Sequence, residues 1–135
     1  MPTAFLDSNI VVYAATAEVD APAKAEKARQ IIGERDFGIS FQVLQEFFVT
    51  CKRVAPAMPE VDLDAWVASL MEFECVDGTP GLFVEAIAAS RKFQISYRDG
   101  AIVAAARQLG ATTLYTEDLN HGQSYDGVRA INPFV

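Results

Sequence analysis

Short apolar runs alternate along this chain with longer stretches of helical period. Thr3 to Leu6 predicts a first strand, and Asp7, Ser8 and Asn9 then offer capping side chains for a short helix over Ile10 to Ala15. Pro22 fits the first turn of a second helix that runs to Arg35, with Lys and Glu on its outer face. Phe37 to Ile39 predicts a second strand. Ser40 caps a third helix, Phe41 to Val54, whose apolar face is set by Phe41, Leu44, Phe47, Phe48 and Cys51. Ala55 to Val61, with Pro56 and Pro59, reads as a loop. A helix starting at Asp62 or Asp64 continues through Trp66, Leu70 and Phe73, and Glu74 to Val76 predicts a third strand. The turn from Asp77 to Gly81 leads into a helix through Phe93. Asp99 opens another, with Ile102, Val103, Ala106 and Leu109 inward and Gly110 as its stop. Thr112 to Tyr115 and Val128 to Ile131 predict a fourth and a fifth strand.

Strands alternating with helices are the mark of βα units around a parallel sheet, so the expected class is α/β. No internal repeat, low-complexity segment or linker interrupts the 135 residues, and residues 1–135 are expected to form a single domain. The chain opens directly on a strand-like run, so no secretory signal is expected. No apolar stretch approaches a membrane span. Cys51 and Cys75 lie in apolar or helical surroundings without a Cys or His at ligand spacing, which points to reduced thiols and a cytoplasmic protein. Hydrophobic residues make up 51%, an excess that suits a partner surface or a dimer interface as well as a core. The single His121 excludes multi-histidine zinc sites and argues against a Ser-His-Asp triad.

Four acids change this picture. Asp7 follows the first strand, Asp99 precedes an apolar helix, Asp118 follows the fourth strand through Thr116 and Glu117, and Glu46 lies in the third helix. In open parallel sheets, ligands bind beyond the carboxyl ends of strands. Converging carboxylates raise one another's pKa unless a cation offsets the repulsion, and all-oxygen sites suit hard metal ions. Each acid also has a plainer reading. Asp7 and Asp99 are good helix caps, Asp118 fits a solvated turn, and Glu46 falls roughly opposite the main apolar face of its helix. Net charge is −7, which argues against nucleic acid unless bound cations reverse the local sign.

Four segments in register sharpen the choice. They are Phe5 to Ala14 around Asp7, Ser40 to Phe47 around Glu46, Ser96 to Ala106 around Asp99, and Thr113 to Gln123 around Asp118, closed by Ile131-Asn132-Pro133-Phe134. In these the chain resembles PIN-domain ribonucleases, and most closely the VapC-type toxins of toxin–antitoxin modules. The resemblance implies a three-layer α/β/α sandwich around a short, mainly parallel sheet. It implies an acidic site of Asp7, Glu46, Asp99 and Asp118, supported by Asn9, Thr116 and Glu117. Asp7, Asp99 and Asp118 are the metal ligands implied, Asp7 and Asp99 foremost, with Glu46 completing the shell or holding a water. Gly100 departs from the Ala common in relatives and is expected to loosen the helix start.

All-oxygen ligands select Mg²⁺ or Mn²⁺, and the reaction implied is metal-assisted hydrolysis of an RNA phosphodiester. Candidate RNA-binding cations are Arg98, Lys52 and Arg53. For Lys52 and Arg53, solvation or a contact with the helix C-terminus is the favoured reading; for Arg98 both stand. The resemblance also implies a cognate antitoxin that blocks the acidic site, and a homodimer. Val11, Val12, Tyr13 and the exposed parts of the second and third helices are candidate docking surfaces. Two related readings keep the fold and change the role: a PIN nuclease of RNA processing outside a toxin system, and a non-catalytic RNA- or protein-binding module. A phosphoacceptor receiver domain fits poorly, because Asp7 has no acidic neighbour and Val128 to Val135 holds no Lys.

Overall fold

The computed structural model describes residues 1–135. Its sheet has six strands in the order β3-β2-β1-β4-β6-β5. They are β1 (Ala4–Leu6), β2 (Phe37–Ser40), β3 (Glu74–Val76), β4 (Thr113–Tyr115), β5 (Ser124–Tyr125) and β6 (Val128–Ile131). All pairings are parallel except that of β5 with β6. The helices are α1 (Ser8–Thr16), α2 (Pro22–Gly33), α3 (Phe41–Val54), α4 (Glu60–Leu70), α5 (Pro80–Phe93) and α6 (Tyr97–Leu109).

The connections from β1 to β2 to β3 step outward in one direction, and the chain then returns to β4 on the other side of β1. Right-handed crossovers therefore send α1 to α4 to one face and α5 and α6 to the other. The packing agrees: α1 contacts α2 and α3, whereas α6 packs on α5 and across β1, β2, β3, β4 and β6. This is the three-layer α/β/α arrangement expected. The strand order reverses at β1, so the switch point opens between the carboxyl ends of β1 and β4.

Apolar burial holds the layers together. Phe5, Leu6, Ile39 and Leu114 of the inner strands are fully buried, with Ile10, Val11, Val43 and Phe47 on one face and Ile102 and Val103 on the other. From Gly100 to Ala106 every residue of α6 is buried, and its run of small side chains lets two backbones approach closely. A Cβ on Gly100 would lie 2.6 Å from the Ala86 carbonyl oxygen and 2.9 Å from the Ser90 nitrogen. Gly100 thus serves a tight α5–α6 contact rather than a loosened helix start.

Several expected boundaries move. Arg35 takes a positive φ of 59°, and α2 stops at Gly33. The helix α4 starts at Glu60, ahead of Asp62 and Asp64, and ends at Leu70; Phe73 lies beyond it and stacks on Phe37 at 4.0 Å. Ser96, not Asp99, caps α6 by accepting the Asp99 N–H at 3.0 Å. Phe41 and Phe48 are exposed, and the inward stripe of α3 is Val43, Phe47 and Cys51. The two-residue β5 escaped the pattern because it is too short to show a period. Its turn, Asp126-Gly127, has positive φ at both residues, as a tight hairpin requires. Cys51 is buried, Cys75 is half-buried, and both thiols are free. No helix is long and apolar enough to cross a membrane.

Candidate metal centre

Asp7 is set by the first strand. Its N–H donates to the Tyr115 carbonyl at 3.0 Å, which extends the β1–β4 ladder one residue past β1. Extended backbone then gives way to α1, and Asp7 caps that helix by accepting the Ser8 N–H at 2.6 Å. The capping and the functional readings of Asp7 are therefore compatible. Thr116 extends β4 in the same way, donating its N–H to the Ile131 carbonyl at 3.0 Å. Its buried hydroxyl donates to Asp7 Oδ2 at 2.8 Å and accepts the Asp118 N–H at 3.1 Å. One hydroxyl thus orients two acids. Asn9, in the first turn of α1, donates its amide to Asp118 Oδ2 at 3.2 Å, while its own Oδ1 is buried without a donor.

Asp99 enters from the first turn of α6, where the helix dipole favours an anion. Asp7, Asp99 and Asp118 each bring a carboxylate oxygen within 4.8 Å of the other two. Asp7 is 1% exposed, so the cluster is rooted in the core and opens outward through Asp118. Burial, followed by the charge of Asp7, pushes the Asp118 carboxyl above its ordinary value, with Arg98 working against them. An all-oxygen donor set of three close carboxylates, beside an amide oxygen that lacks a donor, fits a hard divalent cation with bound water.

Glu46 joins the cluster from α3. Ser8 Oγ donates to its Oε1 at 3.0 Å, and Gln42, one turn earlier, donates to its Oε2 at 3.5 Å. Burial works to raise the Glu46 pKa, but the hydrogen bonds and charge of Arg98, aided by Ser8 and Gln42, hold it below the usual carboxylate value. The helical wheel placed Glu46 opposite an apolar face that included Phe41 and Phe48. With those two exposed, the buried stripe rotates, and Glu46 comes to the edge of α3 that faces α1 and α6.

Arg98 is the residue whose place the sequence did not disclose. Its Nε and Nη2 form a fork on Glu46, at 2.9 and 2.5 Å, and its Nη2 and Nη1 form a second fork on Asp7, at 2.6 and 3.0 Å. Nη1 also reaches Asp99 at 3.1 Å and Asp118 at 3.5 Å. One guanidinium touches all four acids. Burial opposes its charge, but the hydrogen bonds to Asp7 and Glu46 prevail and raise its pKa. The sequence shows only an Arg beside an Asp; the convergence belongs to the fold.

The remaining candidates lie further out. Glu117 turns from the acids to Tyr13, which donates to it, and to Lys24 at 3.2 Å. Arg53 lines a groove with Ser8, Asn9 and Tyr13, beside the centre. Lys52 packs over the Phe48 ring at 5.4 Å and lines a different hollow.

Comparison with known proteins gives the fold a context. The chain is similar to Mycobacterium tuberculosis VapC20, described as a sarcin-ricin loop cleaving toxin, with a TM-score of 0.67 and 18% identity over 85% of this chain and 89% of that one. It is similar to a toxin–antitoxin complex from Klebsiella pneumoniae, with a TM-score of 0.69 and 17% identity over 96% and 97%. A third likeness is to VapBC2 from Rickettsia felis bound to a promoter DNA fragment, with a TM-score of 0.65 and 18% identity over 94% and 96%. No curated protein matches the sequence significantly. At these identities the solved structures speak for the fold. The sequence profile of the PIN domain matches residues 4–124, a span that runs from β1 through Asp118 and holds all four acids, and the chain belongs to the PIN domain family.

Proposed function

We propose that this protein is a metal-dependent endoribonuclease that acts as the toxin of a toxin–antitoxin pair. The observation that carries the reading is the meeting of Asp7, Asp99 and Asp118 within 4.8 Å at the switch point of the sheet. These three would hold Mg²⁺ or Mn²⁺, and a bound cation would supply the Lewis acid that activates water and neutralises charge on the phosphate.

The chain's own groups keep that centre in order. Ser8 N–H and the Thr116 hydroxyl pin the two oxygens of Asp7. Asn9 and the Thr116 hydroxyl hold Asp118. Pre-set ligands of this kind lose little on cation binding. Glu46, anchored by Ser8, stands beside the three ligands. The Arg98 fork suits a phosphate once the acids are neutralised. Arg53, in the groove next to Asn9, is the second candidate for backbone contact. RNA cannot approach an acidic cluster in a chain of net charge −7 without such local reversal.

A proteinaceous partner accords with the exposed Phe41, Phe48, Val49, Phe83 and Val84, and with the solved toxin–antitoxin complexes that share the fold. An antitoxin, a second copy of this chain, and a cytoplasmic setting complete the proposal. The test is cleavage of labelled small RNA by purified protein with Mg²⁺, Mn²⁺ or EDTA, beside Asp7→Ala and Asp99→Ala. Metal-dependent cutting lost in both variants is the expected result. Cutting that survives EDTA or either substitution overturns the assignment.

A further inference from the structure

The three acids that converge closely enough to hold a cation are also three acids bonded by a single atom, Arg98 Nη1, at 3.0, 3.1 and 3.5 Å from Asp7, Asp99 and Asp118. A divalent ion needs about 2.0 to 2.6 Å to each of its oxygens. The ion and the guanidinium therefore compete for one position. From this coincidence we infer that Arg98 is a built-in counter-ion of the acid cluster, which must withdraw before a divalent cation is bound. The inference rests on the metal-centre reading given above and adds its regulation.

Three features support the competition. The hold on Arg98 is strong: two forks, on Asp7 and on Glu46, and a further bond to Ser8 Oγ at 2.9 Å. Glu46 lies outside the three-acid group, yet its two oxygens bond Arg98 at the two ends of the guanidinium fork. Glu46 thus acts as the clamp that keeps Arg98 in place. The arginine also has somewhere to go. Its side chain is 32% exposed and borders an open groove of about 670 Å³ lined by Phe41, Ala101 and Tyr97 among others. A guanidinium swung into that groove stays within reach of an incoming phosphate. Loading the cation and presenting the arginine to RNA would then be one motion.

The energetic consequence is a tax on cation binding. If the competent state is the fraction with Arg98 withdrawn, apparent affinity falls by that fraction. Removing the guanidinium removes the tax. It also leaves four acids without their counter-ion, so the metal-free protein loses stability. A merely structural arginine would lower stability without improving affinity.

The experiment is Mn²⁺ titration by calorimetry of the intact chain at fixed ionic strength, with thermal unfolding in EDTA alongside. The variants are Arg98→Gln, Arg98→Lys and, as a control of equal charge change at the far end of α6, Arg107→Gln. Arg98→Gln is expected to bind Mn²⁺ roughly tenfold or more tightly than wild type and to melt earlier in EDTA. Arg98→Lys keeps the charge without the two forks and should fall between the two. Arg107→Gln should bind as wild type does. Equal affinity in wild type and both Arg98 variants, weaker affinity in them, or an equal gain in Arg107→Gln overturns the inference and leaves the metal centre standing. No binding in any protein overturns the metal reading and this inference with it.

Discussion

Thr116 follows Asp7 by 109 residues, yet its hydroxyl donates to Asp7 Oδ2 at 2.8 Å and accepts the Asp118 N–H in return. This contact joins β1 to the loop after β4 and sets the spacing of two candidate ligands. Thr116→Val keeps the shape and removes both hydrogen bonds in a fully buried place. It should cost about 1–3 kcal/mol in denaturant unfolding and weaken Mn²⁺ binding. Thr116→Ser should restore most of both. A Val variant as stable and as metal-avid as wild type would deny the hydroxyl its positioning role.

Glu46 and Asp99 should separate in metal titrations. Asp99→Asn removes the negative charge of one of the three converging carboxylates and should lower Mn²⁺ affinity by about tenfold or more. Glu46→Gln weakens the grip on Arg98 and should hold affinity at or above the wild-type level. A loss in Glu46→Gln as large as in Asp99→Asn would make Glu46 a ligand instead.

Glu117 adjoins Asp118 in sequence but spends its carboxylate on Tyr13 and Lys24. Burial, then the bond to Glu117, raises the Tyr13 phenol pKa. Glu117→Gln should therefore lower the Tyr13 midpoint in a spectroscopic titration and leave Mn²⁺ affinity unchanged. A parallel fall in affinity would place Glu117 in the metal centre.

Gly100→Ala replaces a poor helix former by the best one, a gain of about 1 kcal/mol in an open helix. Here the added methyl meets the backbone of α5, which has no flexible end to yield. The variant should be destabilised by about 1–3 kcal/mol, measured by urea unfolding. Greater stability than wild type would show that α5 and α6 part without cost.

Burial raises the Cys51 thiol from the ordinary 9.0 to about 11. The folded state thus binds this proton more tightly than the unfolded chain does. The contribution is intact below pH 9 and is lost as pH rises towards 11, amounting to about 2–3 kcal/mol across that window. Unfolding free energies from pH 8 to 11 should fall more steeply for wild type than for Cys51→Ala. Parallel slopes would refute the linkage.

The α/β class and most of the elements were legible in the sequence because they depend on local periodicity. Ser40 before α3, Pro22 in α2 and Gly110 after α6 mark ends through capping chemistry that acts over a few residues. Asp7, Asp99 and Asp118 were visible as acids at strand and helix ends, and the resemblance to PIN domains set them together with Glu46. Only the tertiary structure decided what surrounds them. The inward face of α3 depends on which neighbours cover Phe41 and Phe48, so periodicity misjudged the side of Glu46. Gly100 could be read as a loosened turn until α5 lay against it. The placing of Arg98 among four carboxylates arises from contacts spanning up to 91 residues, and no local pattern encodes a contact of that range.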